Sequence, residues 1–202
     1  VLILSGDKLY QMDFQEMVDR HIKENADISI ATIPVGDREA PEFGILKSGE
    51  GDLITSFIEK PSKDVLGEWV SDTGPEMKTM GRVYLASMGI YIFSRKVLFD
   101  LLQETHKDAT DFGKEIIPTS INNYKVLSFQ YDGYWTDIGN IYSFFEANLA
   151  LTQDIPPFNL FDNSKALYTR ARMWPPAKIS ATTLEKTIIA EGCIINASRV
   201  EN

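Results

Sequence analysis

Val1-Leu2-Ile3-Leu4-Ser5-Gly6-Asp7 opens the chain with an apolar run that stops at a small pair and an aspartate. A continuous run of this kind reads as a strand buried on both faces of a parallel sheet, with Asp7 at its carboxyl end. Open α/β sheets bind ligands outside the carboxyl ends of their strands, so Asp7 is a candidate binding residue. A turn aspartate after a strand is the plainer alternative. Residues 13–35 fit an α/β layout. Asp13 heads a helix with Glu16 three residues on as a capping-box-like partner. Phe14, Met17, Val18 and Ile22 come at helical spacing and are expected to face the sheet. Residues 27–35, rich in Ile and Thr, form the next expected strand, and strand, helix, strand in this order implies a right-handed crossover.

Further along, residues 43–47 and 53–60 flank a glycine-bearing loop of hairpin length. Residues 62–82 lack clear periodicity and read as a long surface loop with room for a short helix. A strand over 83–93, a following helix marked by Val97, Leu98, Leu101 and Leu102, a second helix over 111–121 and a strand over 125–131 complete the alternation. Asn140 can cap a last helix whose Ile141, Phe144, Phe145, Asn148 and Leu149 share one face. Beyond Asp154 the texture changes to Pro156-Pro157, Pro175-Pro176 and scattered aromatics, a linker expected to lie along a surface. Residues 183–202 carry hydrophobics at strand-like intervals, and Ile189 and Ile195 stand six apart with small residues between them. That spacing hints at hexapeptide turns of a left-handed parallel β-helix, of which about two are present.

At 202 residues there is room for one full domain and part of another. A hydrophobic share of 44% beside 24% charged residues excludes a disordered chain. The net charge of -9 argues against a nucleic-acid partner, which selects basic faces. No run approaches a membrane span, so no membrane partner is expected. A single cysteine, Cys193, leaves no disulfide framework within the chain and fits a reducing compartment. The chain opens on a strand with no initiator methionine and reads as the middle of a longer protein.

The chemistry concentrates in Leu4-Ser5-Gly6-Asp7, Phe57-Ile58-Glu59-Lys60-Pro61 and Tyr134-Trp135-Thr136-Asp137-Ile138-Gly139. A divalent metal on a nucleoside triphosphate takes hard oxygen ligands, with one or two carboxylates as the protein's usual share. A lysine brings a point charge to a phosphate. Asp7, Asp137 and the Glu59-Lys60 pair therefore read as a metal-assisted site for a phosphorylated substrate. Adjacent strand residues point to opposite faces, so Glu59 and Lys60 line one pocket only if the strand breaks there, and Pro61 supplies such a break. Asp137 beside Gly139 also suits a turn, and Glu59-Lys60 a solvated strand end. Trp135 reads as core or pocket wall. Asp111-Phe112-Gly113 matches the kinase metal-binding triplet, but no glycine-rich loop, strand lysine or catalytic-loop motif accompanies it. His21 and His106 have no metal-ligand spacing.

Taken together these stretches resemble glucose-1-phosphate adenylyltransferase. The matching text includes Leu4-Ser5-Gly6-Asp7-Lys8-Leu9-Tyr10-Gln11-Met12-Asp13-Phe14, Phe43-Gly44-Ile45, Phe57-Ile58-Glu59-Lys60-Pro61 and Ser87-Met88-Gly89-Ile90-Tyr91. It continues through Asp111-Phe112-Gly113-Lys114-Glu115-Ile116-Ile117-Pro118 and Asp132-Gly133-Tyr134-Trp135-Thr136-Asp137-Ile138-Gly139 to Pro175-Pro176-Ala177-Lys178 and Glu191-Gly192-Cys193. Only residues 62–82 are loosely tied.

The resemblance implies a Rossmann-like α/β nucleotidyltransferase domain with a mixed sheet over 1–154, a linker over 155–178 and the start of a left-handed β-helix over 179–202. It implies synthesis of ADP-glucose and pyrophosphate from ATP and glucose 1-phosphate, for glycogen or starch. Asp7 and Asp137 would hold Mg2+. Gly44, Glu59, Lys60 and Ser87 would contact glucose 1-phosphate, with Lys60 on its phosphate and Glu59 on sugar hydroxyls. The family's N-terminal glycine-rich loop, which cradles the triphosphate, is absent from these residues, so no ATP-loop residue is assigned and the chain alone is expected to be inactive. A homotetramer is implied, cytoplasmic in a bacterium or plastidial in a plant. Two rival readings are a non-catalytic regulatory subunit of the same assembly and a sugar nucleotidyltransferase using another base or sugar.

Overall fold

Residues 28–35 are apolar or small at every position, and in the computed structural model all eight are buried in one strand. The structure describes residues 1–157, 159–162, 170 and 172–201. It divides into two compact units, the first made of Val1–Gly6 and Met12–Trp135, the second of Asp7–Gln11 and Thr136–Asn202. In chain order the elements are β1 (Leu2–Leu4), β2 (Lys8–Tyr10), α1 (Phe14–Lys23), β3 (Ile28–Val35), β4 (Gly44–Ser48), β5 (Ile54–Glu59), α2 (Pro75–Thr79) and β6 (Tyr84–Phe93). Next come α3 (Arg95–Asp100), α4 (Ile117–Ser120), β7 (Val126–Gln130), β8 (Trp135–Asp137) and α5 (Ile141–Leu151). Four short strands close the chain: β9 (Lys178–Ser180), β10 (Thr183–Glu185), β11 (Ile194–Asn196) and β12 (Arg199–Glu201).

The first unit is built on a mixed six-stranded sheet in the order β5-β4-β6-β3-β7, with β1 also on β6. The ten-residue β6 runs antiparallel to β3 along its length, while β7 lies parallel to β3. The other edge of β6 is shared. Leu85 and Ala86 pair with β4, and Ile90 to Ile92 pair with β1. Between those two stretches the β3–β6 register shifts opposite Ile30 and Thr32, and Gly89 takes a left-handed φ of 71°. A bulge of this kind re-aims side chains, and Ser87 sits at it. Phe93, fully buried, packs against Tyr91 and Phe112 with ring centroids 6.3 and 5.6 Å away. Burying such a ring contributes about 1.5–3 kcal/mol.

The α/β class and mixed sheet are as expected, and the hairpin over β4 and β5 forms with Gly44 facing Glu59. Three expectations need correction. The opening strand is not buried on both faces: β1 lies antiparallel on β6, and Leu2 and Leu4 remain 39% and 44% exposed. A short apolar run carries no information on strand direction or on how many faces are covered. In α1, capped by the Asp13 carboxylate on the Gln15 amide at 2.8 Å, Met17 is buried but Ile22 is 66% exposed. His21 is buried in its place, with Nδ1 2.8 Å from Ser29 Oγ and Nε2 3.3 Å from Ser94 Oγ. Two hydroxyls at this spot make a polar side chain the better fit. Finally, the helix expected over 111–121 forms over residues 112–120, but its first part, Phe112–Ile116, has the wider π winding before it runs into the short α4.

In the second unit, β2 and β8 form a two-stranded sheet. Asn140 caps α5 by accepting from the Ser143 amide at 2.9 Å, as its sequence suggested. The shared face of that helix is nonetheless open, with Ile141, Phe144 and Phe145 exposed. Farther on, β9 pairs in parallel with β11 and β10 with β12. Ile179 faces Ile195 and Leu184 faces Val200, the same sixteen-residue offset in both pairs. That regular offset is the signature of a solenoid coil stacked on its neighbour. The linker expected over 155–178 falls partly outside the described residues.

Candidate functional site

Pairing of β2 with β8 brings together two aspartates distant in the chain. The Ile138 amide donates to the Asp7 carbonyl at 3.0 Å, and the Gly139 amide donates to Asp137 Oδ1 at 2.7 Å. Lys8 lies between the carboxylates. Its Nζ is 3.0 Å from Asp7 Oδ1 and 2.5 Å from Asp137 Oδ2. Gly139 keeps this cluster open: a Cβ there would stand 3.0 Å from Asp137 Oδ1 and 3.1 Å from Asp7 Oδ2. Asp7 and Asp137 thus converge on one cation position, and a lysine ammonium is the cation found there.

Two carboxylates suit Mg2+, which keeps several waters and takes one or two protein carboxylates beside substrate phosphates. The donor chemistry fits that ion. Among the described residues no group of three or more His, Cys, Asp or Glu could hold a metal ion, and the pair offers two carboxylates.

In the first unit a second cluster forms around Glu59. β5 ends at Glu59, and Lys60 takes a left-handed φ of 48° with its amide donating to the Phe43 carbonyl at 3.1 Å. The strand therefore breaks at the Glu59-Lys60 pair, as Pro61 suggested, and alternation no longer dictates where Lys60 points. Gly44 clears space beside Glu59. A Cβ at Gly44 would stand 2.5 Å from the Phe57 ring and 2.8 Å from Glu59 Oε2. At Gly113 a Cβ would lie 3.4 Å from both Glu59 Oε2 and Asp111 Oδ1, so these two carboxylates share a neighbourhood. Burial pushes the Glu59 carboxyl above its ordinary value, and the Asp111 charge pushes it the same way, against Lys60 and Lys114.

Ser87 Oγ lies 3.4 Å from the hydroxyl of the buried Tyr91, and Phe112 stacks on the Tyr91 ring with centroids 5.9 Å apart. Burial also raises the Tyr91 hydroxyl, which stays a neutral donor at ordinary pH. Edge-on to Phe43, with centroids 5.2 Å apart, Trp135 holds a buried indole nitrogen that has no hydrogen-bond partner. An unsatisfied buried donor costs about 1–3 kcal/mol, so a ligand hydroxyl is a natural partner for it. Acceptors, donors and aromatic faces of this kind suit a polyhydroxylated ligand. Sequence reading gives Tyr91 and Asp111 no role in this cluster, although both stand in the stretches that carry the family resemblance. Their proximity to Glu59 depends on strand pairing and leaves no local signal.

A family model described as nucleotidyl transferase matches residues 1–154. The chain belongs to the nucleotidyl transferase family. A second model, the GLGC left-handed parallel beta-helix domain, matches residues 172–202, where β9 to β12 repeat at a sixteen-residue offset. A nucleotidyl transferase domain followed by that β-helix is the architecture of glucose-1-phosphate adenylyltransferase. Members of the nucleotidyl transferase family generally use Mg2+. No helix among the described residues is long and apolar enough to cross a membrane.

Proposed function

We propose that this nucleotidyltransferase joins ATP and glucose 1-phosphate to give ADP-glucose and pyrophosphate. The observation that carries the reading is the convergence of Asp7 and Asp137 on one cation position. In the reaction an oxygen of the sugar phosphate attacks the α-phosphorus of ATP. The bond to the β-phosphate oxygen breaks, and pyrophosphate leaves with the electron pair. The attacking oxygen is already ionised at neutral pH, so no general base is needed and alignment and charge neutralisation do the work. Two like charges at about 4 Å repel by roughly 4 kcal/mol at an effective dielectric near 20. Mg2+ held by Asp7 and Asp137 would screen that repulsion and stabilise the departing pyrophosphate. Lys60, exposed beyond the strand break, meets the sugar phosphate. Glu59 accepts from sugar hydroxyls in the space that Gly44 leaves, and Ser87 adds a hydroxyl contact.

In this reading the catalytic portion runs to residue 154, residues 155–178 link it to the β-helix from 179, and the protein works as a homotetramer in the cytoplasm or a plastid. The order of the two matched domains supports this division of the chain, and the assembly and its location follow from the resemblance alone. A panel of nucleoside triphosphates and sugar 1-phosphates, assayed for pyrophosphate release on protein that carries the family's glycine-rich loop, tests the assignment. ATP with glucose 1-phosphate should exceed every other pair, and a higher rate with another base or sugar would overturn it. A second reading, a non-catalytic subunit of the same assembly, draws on Lys8, whose ammonium already occupies the carboxylate pair. Absence of pyrophosphate release from every pair would favour it.

A further inference from the structure

Lys8 takes no part in the proposed reaction, yet it is the least exposed member of its cluster. Its side chain is 13% exposed, against 52% for Asp7 and 32% for Asp137. A surface lysine normally turns its charged head to water. Here the head is turned to two carboxylates, which hold the more solvent-facing positions. Asp137 has both oxygens engaged, Oδ1 by the Gly139 amide and Oδ2 by Lys8. A divalent ion arriving at Asp137 meets one contact fixed by the backbone and one carried on a flexible four-carbon stem. Sharing an oxygen with the ammonium would set two cations within a few ångströms of each other, which is strongly unfavourable. The lysine is the partner able to give way.

We infer that Lys8 is a built-in counter-ion for the carboxylate pair, holding Asp7 and Asp137 converged without metal and competing with the divalent ion for them. The inference rests on the proposed reading of this pair as the metal ligands. Two adjacent carboxylates with no cation between them repel and splay, so the lysine keeps the site assembled. The same contacts lower the affinity for a bare metal ion.

The test is Mn2+ binding to the full chain, read by electron paramagnetic resonance and by melting temperature, for wild type, Lys8→Met, Lys8→Arg and Asp137→Asn. Lys8→Met should bind Mn2+ about tenfold more tightly, the order expected when two partly exposed ion contacts no longer compete. Without metal it should melt below wild type, and added Mn2+ should raise its melting temperature by more than in wild type. Lys8→Arg, which keeps the charge, should bind Mn2+ as wild type does. Should Lys8→Met not fold, Lys8→Gln carries the same expectation, since it also removes the charge. Unchanged or weaker Mn2+ binding in the neutral variant would overturn the role of Lys8 while leaving the metal pair standing. Mn2+ binding by wild type that survives Asp137→Asn would overturn the metal-pair reading and this inference with it.

Discussion

Gly44 and Glu59 face each other across β4 and β5, and the missing side chain of Gly44 is what leaves the Glu59 carboxylate its space. A methyl group there would stand 2.5 Å from the Phe57 ring and 2.8 Å from Glu59 Oε2, so ring or carboxylate must move. Gly44→Ala should cost about 1–3 kcal/mol of stability through overpacking, visible as a lower melting temperature. Its KM for glucose 1-phosphate should rise at least about tenfold, since a small misplacement of a positioning group is costly. A variant with unaltered KM and melting temperature would show that the space beside Glu59 is not used.

Glu59 also governs an expected pH dependence. Its carboxyl is raised by burial and by Asp111, so ionising it costs the folded state more than the unfolded chain. A raised carboxyl contributes stability that is complete below the unfolded value, near 4.5, and is lost as pH rises through the higher folded value. Relative to wild type, Glu59→Gln should therefore gain melting temperature as pH increases through that window and hold the gain at neutral pH. Asp111→Asn should lower the Glu59 carboxyl and move the acid limb of the sugar-phosphate KM profile to lower pH. An acid limb shifted upward by Asp111→Asn would contradict the assignment.

Lys60 combines a charge with a strained backbone, at φ 48°. The left-handed region costs a non-glycine residue roughly 1–2 kcal/mol. Lys60→Gly should relieve that strain and melt at or above wild type, while Lys60→Ala should not. Both should raise the KM for glucose 1-phosphate far more than that for ATP. Equal rises in the two constants would make Lys60 common to both substrates, contrary to its proposed place on the sugar phosphate.

Asp137→Asn keeps the shape of the side chain and its contact with the Gly139 amide but removes the charge facing Lys8. In protein that carries the glycine-rich loop, turnover should fall by about two orders of magnitude or more, the scale of losing an electrostatic element of a phosphoryl-transfer site. Circular dichroism should show the fold retained. Near-normal turnover would remove Asp137 from the proposed metal pair.

Much of the scaffold around these residues was legible locally. Asp13 and Asn140 cap α1 and α5 as their positions before apolar periodic runs indicate, because capping depends on a side chain and an amide two or three residues away. The hairpin of β4 and β5 arises from two strand-like runs around a short glycine-bearing loop. The strand break at Lys60 was readable from Pro61 for the same reason. Where a choice depended on distant partners, the reading failed. Ile22 and His21 both suit the inner face of α1, and Ser29 with Ser94, brought there by folding, selected the histidine. The direction of β1 likewise depended on which edge of β6 was open to it.

The residue order alone carried the α/β class, the helix caps, the hairpin and the identities of Asp7, Glu59, Lys60 and Asp137 as carriers of charge, since each is written in neighbours a few positions apart. Three things waited for the folded chain: the ammonium of Lys8 between Asp7 and Asp137, the Asp111 charge acting on Glu59, and the Ser87 hydroxyl beside Tyr91. Lys8 and Asp137 are 129 residues apart. Electrostatic and hydrogen-bonding partnerships act over a few ångströms, so they exist only once strand pairing has converted chain distance into contact.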